Sequence, residues 1–125
     1  MGESIITRAQ NLSGILRSCS SYQFFTATAN SPSEFGQNPT AVNSKANLST
    51  TPDFIIVDIS IYNNAANNTY ITGALERDIF IPNKNFDFCI YIGPSYYGAV
   101  KLNGTTVTLT ASGTKCGLTG VAITM

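Results

Sequence analysis

The side chains able to do chemistry in this 125-residue chain are seven carboxylates, three thiols and six phenols, with no histidine among them. Without an imidazole there is no Ser-His-Asp triad, no Cys-His dyad, no His-ligated zinc and no side chain that ordinarily titrates near neutrality. Paired carboxylates are the remaining route to acid–base catalysis, as in glycoside hydrolysis. The available acids are Glu3, Glu34, Asp53, Asp58, Glu76, Asp78 and Asp87. Of these, Glu76 and Asp78 are the candidate pair, because residues two apart share a face of an extended strand, with Arg77 opposite. The simpler reading is a solvated strand entry with a local ion pair. Asp53, Asp58 and Asp78 lack the alternating ligands of a calcium loop. No nucleophile elbow, phosphate loop or dinucleotide fingerprint is present. The sequence therefore predicts a protein that is not an enzyme, with no catalytic residues, no metal and no cofactor.

Cys19, Cys89 and Cys116 are far apart, form no C-x-x-C pair and are odd in number. They are expected to be reduced and buried as small hydrophobes, Cys89 above all because it sits inside the apolar run from Phe86 to Ile92.

Two segments have residues suited to binding. In Tyr91-Ile92-Gly93-Pro94-Ser95-Tyr96-Tyr97-Gly98, the glycines and proline impose turns. That would leave Tyr96 and Tyr97 on a loop, where flat rings with polar tips could meet a sugar or a protein. Alternatively one ring plugs the end of a sandwich and the other packs along an edge. Near the N-terminus, Ile5, Ala9, Leu12 and Leu16 recur at helical spacing and predict a helix over about Ser4 to Ser18. Its stripe of Ile5, Leu12 and Leu16 either covers an open end of the domain or docks on a neighbouring subunit.

From Tyr22 onward the pattern is one of short β-rich runs between turn residues. Strands are predicted at Tyr22–Ala29, Phe54–Tyr62, Tyr70–Ala74, Asp78–Pro82, Phe86–Ile92 and Val121–Met125, with a hairpin between Val100 and Leu109. In the Phe54 run, Ile55, Val57, Ile59 and Ile61 share one face while Asp58 and Ser60 take the other. Asn63 to Asn68 reads as a hairpin-like turn, and Asn103-Gly104 as a type I′ turn. Asn30 to Pro52 reads as a long polar loop, of the kind that is functional or packs on a partner. The predicted fold class is all-β: an antiparallel β-sandwich or partly closed barrel over residues 21–125, with a short N-terminal helix or arm over residues 1–20.

Composition bounds the partners. Charged residues are 11% of the chain and the net charge is zero, against about 25% charged in an average soluble domain. Such a surface offers no basic footprint for nucleic acid and little repulsion between copies. No apolar run approaches the ~18 residues of a membrane helix. Met1 to Arg8 lacks a basic segment followed by an apolar one, so no secretory leader is expected. Taken together, the residues point to a structural or attachment subunit of a virus-like particle, with a phage capsid-decoration or tail protein favoured. Its partners would be copies of itself and other subunits, and its location the virion, after assembly in the host cytoplasm. The alternative is a carbohydrate-binding sandwich that holds a surface glycan through its tyrosines.

Overall fold

The computed structural model describes residues 5–31, 40–63, 73–93 and 95–125. Among them, the helix α1 (Ile5–Ser18) precedes the strands β1 (Ser21–Asn30), β2 (Val42–Asn47), β3 (Phe54–Asn63), β4 (Gly73–Pro82), β5 (Phe86–Gly93), β6 (Tyr96–Asn103), β7 (Thr106–Ser112) and β8 (Thr114–Thr124). The strands form two antiparallel four-stranded sheets, ordered β1-β8-β3-β4 and β2-β7-β6-β5. The sheets pack together without closing, so the fold is the sandwich of the two architectures expected from sequence.

Period-two burial builds the core. Ile55, Val57, Ile59 and Ile61 of β3 are buried, as are Val107, Leu109 and Ala111 of β7, and they meet Val100, Leu102 and Leu118 in one cluster. The sheets come very close at Gly98: a Cβ added there would lie 2.7 Å from Ile61 Cδ1 and 2.8 Å from Cys116 Sγ.

Several local expectations change. Within the stretch expected to be a loop, β2 pairs with β7 from Val42↔Ala111 to Asn47↔Thr106. Its half-buried positions are Ser44 and Ala46, one too polar and the other too small to show alternation in the sequence, and Val42 is exposed. The ends of the remaining connection are held by the chain itself. Ser31 Oγ donates to Thr40 O and accepts from Gly113 N, and Ser31 N donates to Thr114 O.

Gly73 and Ala74, the described end of the run expected at Tyr70–Ala74, belong with the Asp78–Pro82 run to one strand, β4, broken in register by a bulge opposite Val57 to Ile59. Asp78 occupies the bulge at φ 57°, and its N–H donates to Asp58 Oδ1 at 2.9 Å. The turn expected over Asn63 to Asn68, and the start of the Tyr70 run, lie from residue 64 to residue 72 outside the described residues. β8 begins at Thr114, seven residues before the predicted Val121, because Gly117 and Gly120 hide its pattern. The β6–β7 hairpin is real but shifted by one residue. Asn103 pairs with Thr106, so Gly104 and Thr105 form the turn. Only Gly104 of the two has positive φ, at 61°, which is the type II′ rather than the type I′ pattern.

Candidate functional site

The outer faces of the two sheets differ in chemistry. On the β1-β8-β3-β4 sheet, the register aligns Tyr22, Ile123, Phe54 and Pro82 in one row across all four strands. The next row is Phe24, Val121, Ile56 and Phe80. Both rows are apolar from edge to edge and point away from the core. Val121 and Ile123 are nonetheless buried, and neither belongs to the cluster between the sheets. Helix α1 accounts for this, since Leu12 lines a groove of about 430 Å³ together with Phe24, Ile56 and Val121. Leu12, Ile15 and Leu16 are half-buried.

The helix therefore lies on the outer face of a sheet and not over an open end of the sandwich. It leaves the flanks of the apolar rows uncovered. Phe24 is 62% exposed beside Tyr22, with ring centroids 5.6 Å apart, and Phe80 is 57% exposed beside Phe54, at 4.7 Å. Leu75 and Tyr62 are also exposed on the same face, but further along it and apart from these rows. The third row turns polar, with Thr26, Thr119 and Asp58.

On the β2-β7-β6-β5 sheet the outer face is polar. Lys45, Thr108, Lys101 and Asp87 form one row, beside Asn43 and Thr110, which are joined by a 2.7 Å hydrogen bond. Lys101 Nζ and Asp87 Oδ1 are 4.0 Å apart at an exposed position, a contact of small energetic weight.

The residues expected to bind are dispersed by this architecture. Tyr96 and Tyr97 open strand β6 instead of standing on a loop, and consecutive strand residues face opposite ways. A Cβ on Gly93 would meet the Tyr96 ring at 3.0 Å, so that ring lies against the β5 backbone. The aromatic neighbour of Tyr97 is Tyr91, 64% exposed, at 5.4 Å between centroids and tilted by 46°. Cross-strand pairing made Tyr91 a neighbour, and spacing along the chain gives no sign of it. Leu12 and Leu16 share the helix surface that meets the sheet; Ile5 begins α1, and its side chain lies outside the described residues.

The acids are also separated. Glu76 pairs with the inward-facing Ile59, whereas Asp78 lines the groove on the outer face, because the bulge interrupts the alternation that would have kept them together. Asp53 Oδ2 accepts the N–H of Met125 at 2.7 Å and so pins the end of β8. Among the described residues no three His, Cys, Asp or Glu side chains cluster as metal ligands. Cys89 is exposed, against expectation, since it falls on the outward face of β5 between Asp87 and Tyr91. Cys116 is buried beside Thr114, and burial pushes its thiol pKa up, partly offset by the Thr114 contact. No helix among the described residues is long and apolar enough to cross a membrane.

Comparison of the chain with protein-family models, with curated proteins and with solved structures gives no match.

Proposed function

We propose that this chain is a non-enzymatic structural subunit of a larger particle, of the kind that decorates a phage capsid or builds part of a tail, and that it resides in the virion. The observation that carries this reading is the pair of apolar rows on one outer face, covered by α1 only along the middle strands. Exposed contiguous apolar surface rimmed by polar residues is the signature of a protein–protein contact. The low charge of the chain leaves little repulsion between copies to oppose such a contact. Sedimentation of the purified chain at micromolar concentration tests the reading. The chain is expected to run as an assembly, and Phe24→Ser with Phe80→Ser, both at exposed positions, is expected to weaken it on the order of a hundredfold. A monomeric wild-type chain, or an unchanged mass for the variant, would overturn it.

A second reading, a carbohydrate-binding module, is favoured by Tyr91 and Tyr97 meeting on the polar face. Two tilted rings give a sugar an apolar wall, and the neighbouring hydroxyls and amides suit its oxygens. Titration with neutral oligosaccharides should then show binding that Tyr91→Ala abolishes while the fold is retained. Absence of binding across a broad glycan panel would exclude this reading.

A further inference from the structure

We infer that the outer face of the β2-β7-β6-β5 sheet binds an acidic oligosaccharide. A sugar ring lies against the Tyr91–Tyr97 pair, and the anionic group of the glycan sits between Lys45 and Lys101. The inference rests on the sugar-binding reading above and deepens it by naming the ligand class. It is independent of the assembly reading, which concerns the opposite sheet.

Register fixes the outward side chains of this sheet in rows. Lys45, Thr108, Lys101 and Asp87 form one row, and Tyr97 and Tyr91 stand two rows away. The row between them holds Asn43 and Thr110, already joined by their hydrogen bond. A groove of about 500 Å³ opens over this part of the sheet, and every side chain lining it is a threonine, asparagine or lysine. Such a lining offers donors and acceptors to ring hydroxyls, while the tilted tyrosines offer an apolar wall. Tyr97 and Lys101 are four residues apart on β6, about 14 Å along the strand. The site is therefore long enough for more than one sugar ring.

The charges set the sign of the ligand. The four strands of this sheet carry Lys45, Lys101 and Asp87 and no other charged residue. Two lysines against one aspartate leave the face net positive, in a chain of net charge zero. Lys45 and Lys101 are two strands apart, about 10 Å between backbones, with Thr108 in the middle. Their ammonium groups reach one anionic group from either side, and hydrogen bonds to such a group are the stronger kind. Asp87 lies on the far side of Lys101, on edge strand β5, at 4.0 Å. Lys45 has no such counterpart among the described residues. Two lysines are too few for the basic stripe that nucleic acid requires.

The test is a glycan array that sets neutral oligosaccharides beside their sialylated, uronic and sulfated counterparts. Acidic members are expected to bind the chain about tenfold or more tightly than their neutral parents, an advantage that high salt removes. Lys45→Gln and Lys101→Gln should each weaken the tightest acidic member about tenfold, whereas Asp87→Asn should strengthen it by about threefold. Lys115→Gln makes the same charge change at an exposed position on the other sheet and should match the wild type. Circular dichroism checks that each variant keeps the β fold. If neutral and acidic members bind alike, or Lys115→Gln loses as much as Lys45→Gln, the inference fails while the sugar-binding reading stands. A single-stranded oligonucleotide of similar charge that binds as tightly as the glycan would also overturn it. No binding to any member of the array would end the inference and the sugar-binding reading together.

Discussion

Replacing Asn83 with alanine is expected to lower the stability of the domain by about 2–4 kcal/mol, since three side-chain hydrogen bonds at roughly 1 kcal/mol each are lost and partly buried backbone groups are left without partners. Asn83 stands in the β4–β5 turn, and its amide reaches two other connections. Nδ2 donates to Pro52 O at 2.8 Å and to Gly104 O at 2.9 Å, and Oδ1 accepts from Gly104 N at 3.0 Å. The backbone N–H of Asn83 also bonds Asp53 O, so one residue ties three loops at one end of the sandwich. Urea unfolding should show a lower midpoint with an unchanged slope. Asn83→Asp is expected to be at least as damaging at neutral pH, because a carboxylate would replace the donor facing two carbonyl oxygens. Its deficit should shrink in acid as that carboxyl takes up a proton. A shift under about 0.5 kcal/mol for the alanine variant would show the amide to be a surface contact only.

The second large effect is expected at Gly98. Gly98→Ala should destabilise the domain by about 1–3 kcal/mol, because the new methyl group would stand 2.7 Å from Ile61 Cδ1 and 2.8 Å from Cys116 Sγ. All three residues lie on the inward faces, Gly98 on β6 and the others on the opposite sheet, so the strain would push the sheets apart. The explanation is specific enough to be rescued. Ile61→Val removes Cδ1 and Cys116→Ala removes the sulfur. Either change alone costs stability, but combined with Gly98→Ala each should return part of the loss. Additive deficits in these cycles would mean that the alanine is accommodated elsewhere and that the close approach does not set the spacing of the sheets.

Neither residue could have been singled out from the chain alone. Asn83 reads as one polar residue of a turn, and Gly98 as one more turn-former beside Pro94. Their partners, Gly104 and Pro52 for the first and Ile61 and Cys116 for the second, are brought near by strand order. The candidate site shows the same limit. The glycines and proline around Tyr96 and Tyr97 predict a loop, yet both lie in a strand, where consecutive rings face opposite ways, and pairing with β5 joins Tyr97 to Tyr91. Glu76 and Asp78 looked like a pair at spacing two, but the bulge at φ 57° on Asp78 ended the alternation on which that depended.

What the sequence determined by itself is what local periodicity can encode. The alternation from Ile55 to Ile61 and from Val107 to Ala111 specifies strands with one buried face, and the stripe through Leu12 and Leu16 specifies a helix. The absence of histidine likewise removes whole classes of chemistry without reference to any fold. What only the tertiary structure decided is which residues stand beside one another across strands. Phe24, Val121, Ile56 and Phe80 are scattered through the chain, and nothing local joins them. They become an apolar row because long-range pairing fixes four strands in register. Position at a sheet edge is equally non-local: β1 is an edge strand because of the strand order β1-β8-β3-β4, which no segment of the sequence encodes by itself. Hydrogen-bond register between distant segments is a property of the folded sheet, and the apolar outer face of this protein is built from that register.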